Sequence, residues 1–118
     1  MIKGREPVSM RYIRKVVSEH YGLSVEQICQ DSNARCYVRP RQVAMYFLRK
    51  FTRASLQQTA RFFGKKDHTT VHYAQRVVAA RMEEDSDFED DIFYLQDKIL
   101  QSPVSRGDTK TIYNEGNK

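Results

Sequence analysis

The run Lys65-Lys66-Asp67-His68-Thr69-Thr70 combines side chains that suit contacts with a polyanion and with the edges of bases. Lysines neutralise phosphates, an imidazole N–H donates to base acceptors, and threonine methyls pack on thymine methyls. The Asp67 carboxylate accepts hydrogen bonds from a base amino group, and it is also a strong N-cap for a following helix. The run therefore indicates base reading, although at Asp67 helix capping alone is an equal alternative.

A helix-turn-helix is the element that positions this run. A short helix opens at the capping box Ser55–Gln58 and stops at Gly64, and Asp67 then caps a longer helix over residues 68–82. In a helix-turn-helix, the first residues of the second helix enter the major groove of DNA. The pattern thus predicts double-stranded DNA as the partner.

Helical spacing of apolar residues extends over most of the chain and predicts an all-α fold of about six helices with a central helix-turn-helix. Residues 1–8 form an N-terminal extension, 9–100 the helical DNA-binding domain, and 101–118 a polar tail that we expect to be disordered. The other predicted segments are helices at 9–21, 25–30 and 40–52, a loop at 31–38, an acidic helix start or linker at 83–91, and a last amphipathic helix through Phe88, Ile92, Leu95 and Ile99.

Charge is distributed unevenly along the 118 residues. Residues 1–81 hold 16 lysines and arginines against 5 acidic residues, a net charge of +11, whereas residues 82–118 hold 4 against 10, a net charge of −6. A basic body attracts polyanions, and phosphate neutralisation supplies most non-specific affinity for nucleic acid. The acidic run is interpreted as a solubilising face.

Composition also bears on compartment. The N-terminus has no apolar signal region, and no apolar run reaches the length of a membrane span. The two cysteines, Cys29 and Cys36, lack a CxxC spacing and are expected to be reduced. We therefore expect a cytoplasmic, nucleoid-associated protein that does not contact a membrane.

Metal chemistry is a weaker alternative. His68 and His72 stand four residues apart and could face one metal ion, as in zinc sites. No glutamate lies between them and no third ligand is evident. We expect no metal, no cofactor and no enzymatic activity; a metal enzyme would require stoichiometric zinc.

Two motifs point to a family. Arg39-Pro40-Arg41-Gln42 followed by Ala44-Met45, and Gly64-Lys65-Lys66-Asp67-His68-Thr69-Thr70-Val71, closely resemble the C-terminal DNA-binding domain (domain IV) of DnaA, the bacterial chromosomal replication initiator. The likeness extends from about residue 13 to residue 100. It implies a Trp-repressor-like helical fold that binds, as a monomer, a short asymmetric site resembling TTATNCACA, the DnaA box.

The resemblance also implies site residues. Base reading in the major groove falls to Asp67, His68, Thr69 and Thr70. Contacts with backbone phosphates fall to Arg41, Gln42, Arg49, Thr52 and Ser55, to which the residue chemistry adds Lys65 and Lys66.

This chain departs from the family pattern at two positions. Asn33 stands where a basic loop of the family sends an arginine into the minor groove, and Arg35 is the candidate substitute for base reading there. Gln57 stands where a proline of the family packs near a thymine methyl. We therefore expect a DnaA-box-like site that is altered at one end.

Two functions compete at this point. The first is a DNA-site binder that regulates replication or transcription, either as a free-standing protein or as a domain of a longer one. No G-x-x-x-x-G-K-[ST] phosphate loop occurs in these residues, so ATP is not an expected ligand. The second is a protein-interaction module that keeps the fold but has lost specific DNA binding, which Asn33, Gln57 and the acidic C-terminal part favour.

Overall fold

The computed structural model describes residues 8–101, which form six α-helices and no strand. The helices are α1 Met10–His20, α2 Val25–Ile28, α3 Arg35–Phe51, α4 Leu56–Phe62, α5 Thr69–Glu84 and α6 Ser86–Leu100. The predicted all-α fold of about six helices with a central helix-turn-helix is confirmed. The predicted extension 1–8 and the predicted disordered tail 101–118 lie outside the described residues, except for Val8 and Gln101.

The longest helix, α3, is the centre of the packing. It contacts α1, α2, α4 and α5, while α6 packs on α1 and α5. Since α2 and α4 have only 4 and 7 residues, they are too short to be stable in isolation, and burial of their apolar side chains must hold them. The largest fully buried side chains are Phe47, Phe63, Ile13, Ile28, Met45, Leu48, Ile92, Leu95, Ile99, Val17, Val43 and Val71.

The start of α3 differs from the prediction. The sequence predicts a loop over 31–38 and a helix that has Pro40 in its first turn, but α3 begins at Arg35 after an extended Ala34 that makes no side-chain cap. The loop prediction is therefore wrong for residues 35–38. Pro40 thus lies inside the helix, in its second turn, where it has no N–H to donate to the Cys36 carbonyl and its ring crowds that carbonyl.

Glycines follow two of the helices, and the stop at Gly64 is the one that the sequence predicts. Gly22 follows α1 with φ of 71°, and Gly64 follows α4 with φ of 74°. This left-handed conformation costs glycine nothing because it has no Cβ, and it turns the chain sharply away from the helix axis. The second of these turns joins the two helices of the helix-turn-helix.

The acidic segment over residues 83–91 also stabilises the packing of the helices. Asp85 caps α6 by accepting from the Phe88 N–H at 3.1 Å. Asp91 accepts from His20 Nε2 at 2.9 Å and from the Tyr21 hydroxyl at 3.3 Å. Burial, and then the Asp91 carboxylate, raise the pKa of Tyr21 to about 12, so the hydroxyl keeps the proton that it donates. These contacts attach α6 to the end of α1.

Candidate nucleic-acid interface

The turn between α4 and α5 is fixed by backbone bonds and by buried side chains. The Gly64 N–H donates to the Arg61 carbonyl at 2.9 Å, and the Lys65 N–H donates to the Ala60 carbonyl at 2.9 Å. These bonds satisfy carbonyls at the end of α4 that have no helical partner. Phe63 and Val71 are fully buried on either side of the turn. The first residues of α5 therefore have a defined position relative to α4.

Asp67 caps α5, as the sequence predicts. Its Oδ1 accepts from the Thr69 N–H at 2.9 Å, and this bond is the main cause that holds the pKa of the carboxyl below its usual 3.8. The helix begins at Thr69 rather than at the predicted His68, which is the N-cap residue but makes no side-chain cap. Capping is thus established for Asp67, and its base-reading role stays a prediction.

The other predicted base readers lie at the surface beside this cap. His68 and Thr69 are exposed and Thr70 is half-buried. His68 lines a groove of about 430 Å³ together with Arg49, Ser55, Leu56 and Gln57. The structure thereby brings one predicted base reader together with two predicted phosphate ligands, Arg49 and Ser55.

Several predicted phosphate ligands already make hydrogen bonds around this groove. Arg49 Nη1 donates to the Ala54 carbonyl at 2.7 Å. The Thr52 hydroxyl donates to the Leu48 carbonyl at 2.6 Å and accepts from the Ala54 N–H at 3.1 Å. The Ser55 hydroxyl accepts from the Gln58 N–H at 3.0 Å. These bonds shape the segment between α3 and α4 that forms one wall of the groove.

Gln42 and Lys66 differ from these residues. Neither side chain makes a hydrogen bond or ion pair with another residue in the part of the chain that the structure describes. Lys66 is exposed beside Asp67, and Gln42 is half-buried on α3. Both side chains are available for the predicted phosphate contacts.

Arg41 is buried, with 5% of its surface exposed. Its Nη1 donates to the Gln30 carbonyl at 2.7 Å and to the Ile28 carbonyl at 3.4 Å, and its Nη2 donates to the Ser32 carbonyl at 3.1 Å. The guanidinium therefore holds the loop between α2 and α3, and its predicted phosphate contact stays a prediction. Sequence reasoning missed this role because the bonds join residues 9 to 13 positions apart in the chain.

Lys65 holds the same loop from the other side. Its Nζ lies 2.9 Å from Asp31 Oδ1, and its side chain is only 17% exposed. The ammonium group lowers the pKa of Asp31, first through the hydrogen bond and then through its charge. The α2–α3 loop, residues 29–34, is thus tied to α3 by Arg41 and to the helix-turn-helix by Lys65.

Arg35 lies apart from the groove that contains His68. It is exposed on the first turn of α3 and lines a separate groove of about 530 Å³ whose other charged residues are Arg39, Arg81, Asp85, Asp87 and Asp91. The structure therefore does not bring Arg35 together with Asp67–Thr70. If Arg35 contacts DNA, it does so in a second region, away from the start of α5.

Sequence reasoning considered His72 only as a metal ligand and did not consider its neighbours. In the structure His72, Tyr73 and Arg76 line one shallow surface of α5 together with Thr69 and Thr70. Residues 8–101 contain no group of three or more histidine, cysteine or acidic side chains that could hold a metal ion. The same part of the chain contains no helix that is long and apolar enough to cross a membrane.

Comparisons with known proteins agree with this geometry. The family described as "Bacterial dnaA protein helix-turn-helix" matches residues 10–78. The chromosomal replication initiator protein DnaA of Chloroflexus aggregans is 39% identical over 95 residues, which cover 80% of this chain and 20% of that protein. The DnaA protein of Wolbachia pipientis is 40% identical over 89 residues, 75% of this chain and 19% of that protein. The chain thus spans about a fifth of the length of these relatives.

A solved structure shows the same fold. The crystal structure of a DNA replication initiation factor superposes with a TM-score of 0.69 at 33% identity, covering 77% of this chain and 28% of that one. Sequence and fold therefore lead to the same group of proteins, which confirms the resemblance that the two motifs indicate.

Proposed function

The chain belongs to the family of bacterial DnaA helix-turn-helix domains, and on that premise we propose that it binds double-stranded DNA sequence-specifically at sites resembling the DnaA box. The observation that carries this proposal is the start of α5. There Asp67, His68 and Thr69 are exposed at the end of a helix whose position the buried Phe63 and Val71 fix. Rigid presentation of base-reading side chains is what direct readout in the major groove requires.

The proposed contacts divide into base reading and positioning. Asp67, His68, Thr69 and Thr70 read base edges, and Arg35 enters the minor groove in place of an arginine at position 33. Phosphates are held by Gln42, Arg49, Thr52, Ser55 and Lys66. A phosphate at Arg41 or Lys65 would have to compete with the Ile28, Gln30, Ser32 or Asp31 acceptors that these cations already have.

The biological role that we propose is regulation of replication initiation or of transcription, by occupying sites that a DnaA initiator also uses. The protein acts at the nucleoid in the cytoplasm, as a monomer and without ATP. A monomer suits an asymmetric site, because a dimer with twofold symmetry binds palindromic half-sites. No catalytic step is part of this role.

Fluorescence anisotropy with a labelled TTATCCACA duplex and a scrambled duplex of the same composition tests the proposal. At physiological salt the wild type is expected to prefer the box, and His68→Ala to lose roughly 1–3 kcal/mol of that preference. Lys98→Ala, an exposed change on α6, is the control and should keep the preference. Gln57→Pro restores the proline that the family resemblance places here and should strengthen binding to the box.

Equal, weak binding of the wild type to both duplexes would contradict the proposal. The family fold would then serve a protein-interaction module without specific DNA binding, which the departures at Asn33 and Gln57 favour. A selection from random duplexes would separate this outcome from specific recognition of a different sequence.

A further inference from the structure

The exposed side of α5 continues beyond its first turn. His68, Thr69, His72, Tyr73 and Arg76 stand at positions i, i+1, i+4, i+5 and i+8. With 3.6 residues per turn, this spacing places them along one face of a helix. His68 already has helical angles, φ −68° and ψ −15°, so the face begins there. The opposite side of the helix is buried through Val71, Ala74 and Val78.

Three side chains of this face have no partner within the described part of the chain. Apart from the backbone bonds of the helix, His72, Tyr73 and Arg76 make no side-chain hydrogen bond, ion pair or ring contact with any other residue in 8–101. Tyr73 is 60% exposed, the largest value among the exposed large apolar side chains. The contacts among residues 8–101 thus give no reason for a tyrosine and an arginine at these two positions.

The charge and chemistry of the face fit a duplex. No acidic residue occurs between His68 and Met82, so a phosphate backbone that follows the helix meets Arg76 and no carboxylate. A histidine donates to purine N7 or guanine O6 in the major groove, whereas arginine and tyrosine donate to phosphate oxygens. His72 lies one turn, about 6 Å, beyond His68, which corresponds to about two base-pair steps of 3.4 Å.

We propose, on the basis of the DNA-binding function above, that the second and third turns of α5 extend the DNA contact. His72 reads a base edge beyond those that the first turn reads, and is a further specificity-determining residue. Tyr73 and Arg76 hold the adjacent phosphates. The occupant of this face is therefore the same duplex that the start of α5 reads, and the recognition surface extends from Asp67 to Arg76 instead of ending at Thr70.

The test is an anisotropy series with the full chain and duplexes in which each base pair of the box, and two pairs on either side, is replaced in turn. His72→Ala is expected to remove a preference of about tenfold at one base pair and to leave the preferences at other positions unchanged. Arg76→Ala is expected to weaken box and scrambled duplex alike and to lower the salt slope by about one. Tyr73→Ala is expected to weaken binding to both duplexes severalfold.

Two variants on α6 are matched controls. Tyr94 is 54% exposed and Lys98 is exposed, so Tyr94→Ala and Lys98→Ala remove a similar ring and the same charge away from the α5 face. Both should bind like the wild type. Circular dichroism melting curves check that every variant folds.

The outcomes separate the two proposals. A wild type that prefers the box through His68, combined with His72, Tyr73 and Arg76 variants that match the α6 controls, overturns the extended face and leaves the proposed function intact. A wild type with no preference overturns both. If Tyr73→Ala binds DNA weakly only because less of the protein is folded, the assignment of Tyr73 to a phosphate is overturned.

Discussion

The start of α5 and the α2–α3 loop both carry residues that the family motifs connect with DNA, but their side chains are in opposite situations. At Asp67, His68 and Thr69 the polar groups are exposed, and their bonds within the described residues are those of the helix cap. At the loop, Arg41 and Lys65 are largely buried and bonded to the loop itself. The motif alone therefore does not show which of its side chains are free to contact DNA and which ones hold other parts of the protein in place.

The two cations at the loop also differ from each other. Arg41 donates three bonds to carbonyls in a buried site, where unmade hydrogen bonds are costly. Lys65 pairs with a fully exposed Asp31, and exposed ion pairs contribute little. We therefore expect Arg41 to dominate the position of the loop.

The largest expected effect is the loss of stability in Arg41→Ala. Removing the guanidinium leaves three carbonyls without their donor and should lower the free energy of unfolding by about 3 kcal/mol, measured by urea unfolding. Arg41→Lys keeps the charge but not the forked geometry, and should recover only part of the loss. Unchanged stability, together with a salt slope of DNA binding that falls by about one, would instead assign Arg41 to a phosphate.

The next effect separates capping from base reading. Asp67→Ala and Asp85→Ala should each lower the stability of the fold, because each removes a carboxylate that accepts a first-turn N–H. Only Asp67→Ala should also reduce the preference for the box, since Asp85 caps α6 in an acidic region. Thermal melts and anisotropy on the same preparations measure both quantities. Equal binding by the two variants would leave Asp67 as a cap alone.

Gly64→Ala and Gly22→Ala form a second matched pair, with an expected cost of about 1 kcal/mol each, because both residues have left-handed φ values. A Cβ at Gly64 would lie 3.7 Å from the Cys29 carbonyl, an ordinary contact, and a Cβ at Gly22 would meet nothing within 4 Å. Urea unfolding should therefore give similar losses. Weaker binding to the box by Gly64→Ala alone would show that the turn, and not α1, positions the reading end.

The smallest expected effect is that of acid pH on the stability of the fold. Asp31 and Asp67 both have a pKa that their partners hold below the usual 3.8, so each stabilises the folded state at pH values above 3.8. This stabilisation is lost as the pH falls through the lowered folded pKa, since protonation then removes the bonded carboxylate. Stability against pH for Asp31→Asn and Asp67→Asn should be flatter than for the wild type in this acid range. If the stability of both variants changes with pH as steeply as that of the wild type, the assignment of this pH dependence to Asp31 and Asp67 is contradicted.

Local signals predicted most of the fold. The capping box Ser55–Gln58, the stop at Gly64 and the cap at Asp67 each depend on residues within a few positions, and each is present. The family match likewise followed from two short motifs. The loop boundary failed at Arg35 because the prediction placed Pro40 in the first turn, whereas the helix begins five residues earlier and continues through the proline.

Contacts between distant residues could not be predicted in this way. Arg41 bonds to backbone carbonyls of the α2–α3 loop, and Asp91 bonds to the His20 side chain; in both cases the distance between the groups depends on how the helices pack. Sequence spacing along one helix carries no information on that packing. For this reason the sequence predicted Arg41 and Lys65 as phosphate ligands but did not show that both bond to the α2–α3 loop.

The length of α3 has one further consequence. Arg35 lies on its first turn and Arg49 on its last, and these residues line separate grooves. They are fourteen positions apart in the helix, about 21 Å along its axis, which is close to six base-pair steps of 3.4 Å. If DNA contacts both ends, the length of this rigid helix sets the spacing between the two contacted parts of the target site.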